Sequence, residues 1–215
     1  MKIEKIPRSC NDFVLVVDIR ASARYISRNT TREESGEERQ TAMIQQTKWF
    51  DRTFDFSYPM GVFPCILERL RGTPGRIEEL MKLYPHSMLT TRVDGRWSMQ
   101  EHVGHLFDLD DLHLGRVSDY LAGAKVLRPA DVKNERTKNA NHNASSIDTI
   151  MRNFRSARHR FVYTLENLDE SRIGLVAEHP RLQRPMRLID MAYFVAEHDD
   201  HHLACVTEIH RQLGK

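Results

Sequence analysis

The sequence 187-RLIDMAYFVAEHDDHHLACVTEIHRQL-213 has the clearest helical pattern in the chain and sets its architecture. Its apolar residues recur every three or four positions, which is the period of a helix with one buried face. They are Leu188, Met191, Val195, Val206 and Ile209. His198 and His202 continue the same stripe, so we expect both imidazoles on the inward face. The pattern predicts one long helix that begins near Arg187 and ends before Gly214.

Three further segments have the same period. They are residues 63–84, 98–121 and about 146–168. The first is interrupted by Gly72-Thr-Pro-Gly75, which predicts one kinked helix or two short collinear helices. The second has a clear start, because Ser98 and Glu101 form a capping box. Four long amphipathic helices without a central strand predict an all-α protein, a four-helix bundle of the up-and-down type whose site is built from facing core side chains.

Residues 1–42 differ from the rest of the chain. A short apolar run at 13–19 is followed by a polar stretch at 28–40 without apolar periodicity. Such a stretch buries too little surface to offset its ordering entropy. We therefore predict an N-terminal extension, flexible at 28–40 with at best a loosely attached strand at 13–19, and a helical domain over 43–215.

Composition excludes several classes of protein. Lys and Arg number 32 against 30 Asp and Glu, so the formal charge of +2 does not favour nucleic acid or an acidic membrane surface. No apolar run reaches the ~20 residues that a membrane-spanning helix needs. Three widely spaced cysteines and the lack of a secretory signal indicate a reducing cytoplasm. We expect a small-molecule partner, no nucleic acid and no membrane; a homodimer stays open.

The histidines are the most informative polar residues. Eleven are present, and seven lie in two windows: His102, His105 and His113, then His198, His201, His202 and His210. His198 and His202 are one helical turn apart, which is the spacing with which two imidazoles chelate one transition metal. His105 lies on an inward face of the second helix and is the candidate third ligand. The alternative, that these are hydrogen-bonded core histidines, stays open from spacing alone.

Acidic residues flank the candidate ligands. Glu101 and Asp108 lie one turn either side of His105, and Glu197 precedes His198. Ligand imidazoles commonly need a carboxylate that orients them from behind, and these three are candidates for that role. For the neighbouring Asp199 we favour a solvated position.

Two motifs resemble those of a known family. Trp97-Ser-Met-Gln-Glu-His-Val-Gly-His-Leu-Phe-Asp108 and Phe194-Val-Ala-Glu-His-Asp-Asp-His-His-Leu203 resemble the opening and closing motifs of the DinB-like superfamily. The resemblance covers about residues 60–212. It implies a four-helix bundle that holds one divalent metal, zinc or nickel, through His105, His198 and His202.

The resemblance also implies a class of chemistry. Members with assigned activity are mostly thiol-dependent transferases and isomerases, in which the metal activates the thiolate of a low-molecular-weight cofactor; in a hydrolytic member it activates water. We therefore expect a metal-dependent enzyme that performs thiol (S-) transfer or hydrolysis on a small molecule. The alternative is a non-catalytic metal- or small-ligand-sensing module.

Two loops, 139–143 and 178–187, are not part of the general signature of this family. If they approach the metal, their side chains have chemical uses. Arg181, Arg184 and Arg187 can clamp a carboxylate or phosphate of the substrate. His142 and His179 can act in proton transfer. For each residue taken alone, a surface position in a loop is the simpler interpretation.

Overall fold

The computed structural model describes residues 44–214, and the chain from Gln46 onward forms one compact unit. The predictions for 13–19 and 28–40 lie outside the described residues. The helices are α1 (Phe63–Lys82), α2 (His86–Leu89), α3 (Met99–Leu121), α4 (Glu135–Ala140), α5 (Ile147–Glu166), α6 (Glu170–Ile173) and α7 (Leu188–Leu213). The strands are β1 (Val176–His179) and β2 (Arg184–Arg187), and three-residue 3-10 turns occur at Trp49–Asp51, Met60–Val62 and His142–Ala144.

The four long helices α1, α3, α5 and α7 form the bundle, which confirms the predicted fold class. Both α1 and α3 pack against α5 and α7. Consecutive long helices, α1 and α3, therefore lie diagonally across the bundle. The predicted up-and-down order is wrong, because the connections 83–98 and 167–187 are long enough to cross the end of the bundle. None of the helices in the described part of the chain is long and apolar enough to cross a membrane.

Helix α1 is continuous through Pro74, so neither a break nor a second helix occurs at Gly72–Gly75. A proline in a helix cannot donate to the carbonyl four residues earlier, here that of Leu70. Arg158 from α5 satisfies this carbonyl instead, with its Nη1 at 3.2 Å. The side chain of the adjacent Thr73 donates to Asp199 of α7 at 2.7 Å. Contacts from neighbouring helices thus compensate for the backbone bond that Pro74 removes.

The ends of α3 follow the predicted signals. The backbone N–H of Glu101 donates to the Ser98 hydroxyl at 3.2 Å, and the backbone N–H of Ser98 donates to the Glu101 carboxylate at 2.9 Å. This is the predicted capping box. After the helix ends at Leu121, Gly123 adopts a φ of +70°, which glycine tolerates better than other residues.

The predicted loop at 178–187 contains an antiparallel hairpin. Strands β1 and β2 pair Ala177 with Met186, and both side chains are buried. The Tyr120 hydroxyl of α3 donates to the Met186 carbonyl at 3.0 Å and attaches the hairpin to the bundle. Pattern analysis missed these strands because each has four residues and the signal is too short.

The core is divided by a buried polar layer. The apolar residues form two clusters, one toward each end of the bundle. Between them Arg158 of α5, 2% exposed, forms ion pairs with Asp110 of α3 and Asp199 of α7. Burial disfavours the charge on Arg158, but the two carboxylates outweigh this effect and raise its pKa. The predicted solvated position of Asp199 is wrong, because its side chain is 1% exposed.

We expect Arg158→Met to lower the free energy of unfolding by about 3–5 kcal/mol, because it leaves two carboxylates buried without a counter-ion. Urea unfolding followed by circular dichroism measures the loss. The matched control is Arg155→Met, one turn earlier on α5, where an exposed guanidinium pairs with Glu78 and a loss below about 1 kcal/mol is expected. Equal losses in the two variants would contradict a special role for the buried pair.

Candidate metal centre

Three histidines from two helices converge at the level of the polar layer. His105 projects from α3, and His198 and His202 project from α7; all three are buried. One ring nitrogen from each lies within 4.8 Å of the others. The Nε2 atoms of His198 and His202 are 3.1 Å apart. Two nitrogens that share one tetrahedral metal at 2.0–2.1 Å lie ~3.3 Å apart, so this pair has nearly the spacing of a chelate.

The three imidazoles have the protonation state that metal binding requires. Burial lowers the pKa of His105 to about 4 and holds the pKa values of His198 and His202 well below the ordinary value. All three rings are therefore neutral near pH 7, with one lone pair each. Within residues 44–214, His198 Nδ1 is buried without a hydrogen-bond partner. Three neutral imidazoles so placed fit a divalent transition metal.

A hydrogen-bonded chain fixes the orientation of His105. Its Nδ1 lies 3.0 Å from the Thr137 hydroxyl, which donates to Asp108 at 2.8 Å. Because the hydroxyl proton points to Asp108, His105 must donate its Nδ1 proton to Thr137, and its Nε2 lone pair is free. Asp108 is therefore linked to His105 through Thr137. Sequence analysis missed Thr137, which lies on α4 in a connection without apolar periodicity.

His202 has a partner of its own. Its Nδ1 lies 2.7 Å from Nδ1 of His102, one turn before His105 on α3. Burial lowers the pKa of His102 to about 3, so this ring is neutral as well. One of the two facing nitrogens donates and the other accepts. When His202 is the donor, its Nε2 keeps a lone pair for a metal. The spacing of the histidines in the sequence gave no sign of this contact.

A cavity of about 750 Å³ opens beside the three histidines. Two indole rings form part of its wall: Trp49 lies 4.8 Å from His198 between ring centroids, and Trp97 lies 4.8 Å from His105. The Gln46 side chain contacts Nδ1 of His201 at 2.9 Å on the same wall. The volume lies in the ~300–1,000 Å³ range of small-molecule sites.

Two of the predicted orienting carboxylates have other partners. Glu101 pairs with Arg92 and caps α3. Glu197 pairs with Arg52 and Arg69 on the outer side of α7. Neither carboxylate hydrogen-bonds a candidate ligand, because Arg92 and the Ser98 backbone N–H engage Glu101, and Arg52 and Arg69 engage Glu197. Of the three predicted carboxylates, Asp108 alone is linked to the imidazole of a candidate ligand.

Cys205 borders the cavity but is not in the histidine cluster. Burial raises the pKa of its thiol to about 11, so the sulfur is protonated near pH 7. Its Sγ lies 3.4 Å from the side-chain oxygen of Gln46. This geometry favours the interpretation of Cys205 as a packed thiol over that of a metal ligand.

The two histidines predicted for proton transfer lie in different places. His142 is buried against Gly104, where a Cβ atom would collide with the imidazole ring. Its Nε2 contacts Asp108 at 2.8 Å, and it does not border the cavity. His179, at the end of β1, does border the cavity. His142 therefore supports the Thr137–Asp108 chain, whereas His179 is part of the cavity wall.

The three predicted arginines also separate. Arg181 borders the cavity. Arg184 is exposed and donates to the Phe54 carbonyl at 3.1 Å. Arg187 pairs with Asp190 and donates to the Phe56 carbonyl at 3.0 Å. The structure thus places Arg184 and Arg187 outside the cavity wall, because they belong to β2, which packs against the segment 54–58.

Comparisons with known proteins agree with the four-helix fold. The solved structure of YfiT from Bacillus subtilis, described as a probable metal-dependent hydrolase with an unusual four-helix bundle topology, matches with a TM-score of 0.67 and 20% identity, over 76% of this chain and 94% of that one. A mycothiol-dependent maleylpyruvate isomerase matches with a TM-score of 0.54 and 11% identity, over 70% of this chain and 62% of that one. No curated protein sequence matches significantly. The family model of the DinB superfamily matches residues 69–206, well over half of the chain. The chain belongs to the DinB superfamily.

Proposed function

We propose that this protein is a metal-dependent enzyme that acts on a small molecule, with one divalent transition metal held by His105, His198 and His202. The main support is the convergence of three neutral, buried imidazoles beside a cavity of small-molecule size. Within the described residues no fourth side chain joins the cluster. Three protein ligands and an open position are typical of catalytic sites, whereas structural sites have four protein ligands. Zinc or nickel suits this donor set.

A divalent metal in this position supplies Lewis acidity, which activates a water, a thiol or a carbonyl group. The residues of the chain have separate tasks around it. Thr137 and Asp108 hold the Nδ1 proton of His105 and so keep the ring in one orientation. Trp49 and Trp97 restrict the access of bulk water to the ligand rings. Of His142 and His179, it is His179 that borders the cavity and can contact a substrate.

Two reactions suit such a site, namely hydrolysis and the transfer of a thiol group. The similar solved structures are described as a probable metal-dependent hydrolase and a mycothiol-dependent isomerase; the first description supports hydrolysis, and the second supports chemistry that depends on a thiol. In the second case a low-molecular-weight thiol is the cofactor. The cavity volume accommodates a small substrate in either reaction.

Metal content tests the ligand assignment directly. We expect the purified protein to contain about one divalent metal per chain, and His105→Ala, His198→Ala and His202→Ala each to lose it, because two imidazoles bind much more weakly than three. Inductively coupled plasma mass spectrometry measures the metal. His159→Ala, at an exposed position of α5, is the control and should retain it. Unchanged metal in the three variants would refute the assignment.

The role of Thr137 predicts a smaller effect. Thr137→Val removes the hydroxyl between His105 and Asp108 with little change in volume. We expect metal affinity to fall about 10–100-fold, the usual effect of removing an orienting partner. Competition with a chromophoric chelator measures the affinity. Thr164→Val is the matched control, because that hydroxyl donates only to the Arg160 carbonyl of its own helix. Equal metal affinities in the two variants would show that the hydrogen bonds from His105 through Thr137 to Asp108 are not needed for metal binding.

Ligand-induced thermal stabilisation distinguishes the two reactions. Metal-loaded and metal-free protein are screened against low-molecular-weight thiols and against hydrolysable esters and amides, and the ligands that stabilise are then assayed for turnover. Stabilisation by a thiol only in the metal-loaded protein supports transfer, and metal-dependent cleavage of an ester or amide supports hydrolysis. Binding without turnover of any compound would instead support a sensing module.

A further inference from the structure

Arg116 is a buried cation in the cavity wall without an acidic partner among the described residues. Its side chain on α3 is 2% exposed. Its Nε donates to the Arg128 carbonyl at 3.1 Å, a neutral acceptor. Asp119, one turn further along α3, pairs with Arg128 at 2.7 Å instead. Burial lowers the pKa of Arg116 to about 10, which shows how poorly the protein itself compensates this charge.

Arg181 is a second such cation, in the turn between β1 and β2. Its guanidinium lies over the rings of Phe50 and Phe194, 5.1 and 5.6 Å from their centroids. Its Nη2 is buried without a hydrogen-bond partner in residues 44–214. Aromatic faces hold a guanidinium in place but leave its N–H groups unsatisfied. Arg181 is therefore held in the cavity wall with a buried donor, Nη2, that has no acceptor among the described residues.

His179 adds a third donor between the two arginines. The backbone N–H of Leu182 donates to its Nδ1 at 3.2 Å. Burial and the two arginines lower the pKa of His179 to about 3, so the ring is neutral and carries its one proton on Nε2. That Nε2–H faces Nη1 of Arg116 at 3.3 Å. The contact thus joins two donors, and neither atom has an acceptor in residues 44–214.

The rest of the cavity wall does not neutralise this charge. Lys48 also borders the cavity, whereas Asp131 is the one acidic residue in the wall among the described residues. The Asp131 carboxylate already accepts the backbone N–H groups of Lys133 and Arg136, both at 3.1 Å. The cavity therefore has an excess of positive charge and of unsatisfied donors.

The position of Arg116 relative to the histidines defines the shape of a ligand. Arg116 follows His105 by three helical turns on the same face of α3, so their backbones are ~16 Å apart. Leu109 and Leu112 border the cavity between them. A molecule that reaches both ends would have a reactive group near the histidines, an apolar middle and an anionic group near Arg116.

We infer that Arg116, Arg181 and His179 form an anion-binding subsite that binds a carboxylate or phosphate group of the substrate. Two guanidinium groups and an imidazole N–H supply charge-assisted hydrogen bonds to such a group, and the anion supplies the acceptors that all three lack. The inference extends the proposed function, since it assigns the substrate class of the same cavity: small, elongated anions.

The test compares three probes that differ in one end group, namely hexanoate, hexyl phosphate and the neutral hexanamide. Isothermal titration calorimetry at low ionic strength measures their binding to wild-type protein and to the variants Arg116→Met, Arg181→Met and Arg184→Met. We expect the first two variants to weaken binding of the anions about tenfold or more, the loss of one charge-assisted hydrogen bond, with no effect on hexanamide. Arg184→Met, in the same hairpin but outside the cavity, should match wild type. The anion that binds more tightly shows whether the subsite prefers a carboxylate or a phosphate group.

Thermal unfolding without ligand separates binding from a structural role. Removal of an unpaired buried charge should leave the Tm of Arg116→Met equal to or above that of wild type. If this variant does not fold, Arg181→Met decides alone, because that side chain donates to no described residue. Equal binding of hexanoate and hexanamide, or unchanged hexanoate affinity in the Arg116 and Arg181 variants, would overturn the inference.

The titration needs neither metal nor turnover. If the three histidines prove not to bind a metal, hexanoate can still bind in a way that depends on Arg116. If hexanoate does not bind, the assignment of the metal ligands is unaffected. The two proposals can therefore fail separately.

Discussion

The ion pairs of Arg158 with Asp110 and Asp199 are the constraint on which the rest of the structure depends. They join α5 to α3 and α7, the two helices that supply the candidate metal ligands. A buried ion pair tolerates little displacement, because each charge becomes costly when its partner moves away. Asp199 is adjacent to His198, so the register that Arg158 sets between α3 and α7 also sets the distance between His105 and the His198–His202 pair. The same guanidinium satisfies the Leu70 carbonyl that Pro74 leaves free in α1.

The middle of the bundle thus combines two kinds of polar group. Arg158, its two carboxylates and Thr73 satisfy one another and hold the helices together. Around the cavity, by contrast, His198 Nδ1 and Arg181 Nη2 are buried without a partner among the described residues, and Arg116 has no acidic partner there. Buried polar groups without partners reduce stability, and their concentration around one cavity is what a site for an external ligand requires. Burial of apolar surface in the two clusters at the ends of the bundle offsets this loss of stability.

The accuracy of the sequence-based predictions depended on the range of the interactions concerned. Helix periodicity and the capping box of Ser98 and Glu101 are local signals, and they located α3, α5 and α7 within a few residues. The inward direction of His105, His198 and His202 followed from the same periodicity. Glu197 and Asp199 were misplaced, because charged residues beside a buried stripe are equally compatible with a solvated face, an orienting contact and a buried ion pair. Arg116 and Thr137 showed no local signal, since their roles arise from residues distant in sequence.

The sequence by itself determined the all-α class, the existence and approximate limits of the long helices, and which histidines point inward. These properties depend on spacing within single helices, which a linear pattern records. Only the tertiary structure decided the diagonal order of the helices, the Thr137–Asp108 chain behind His105, the partnership of His102 with His202, and the placement of Arg181 in the cavity wall with Arg184 and Arg187 outside it. Each of these features depends on contacts between elements that are distant in sequence, and the packing of the helices determines which elements come into contact.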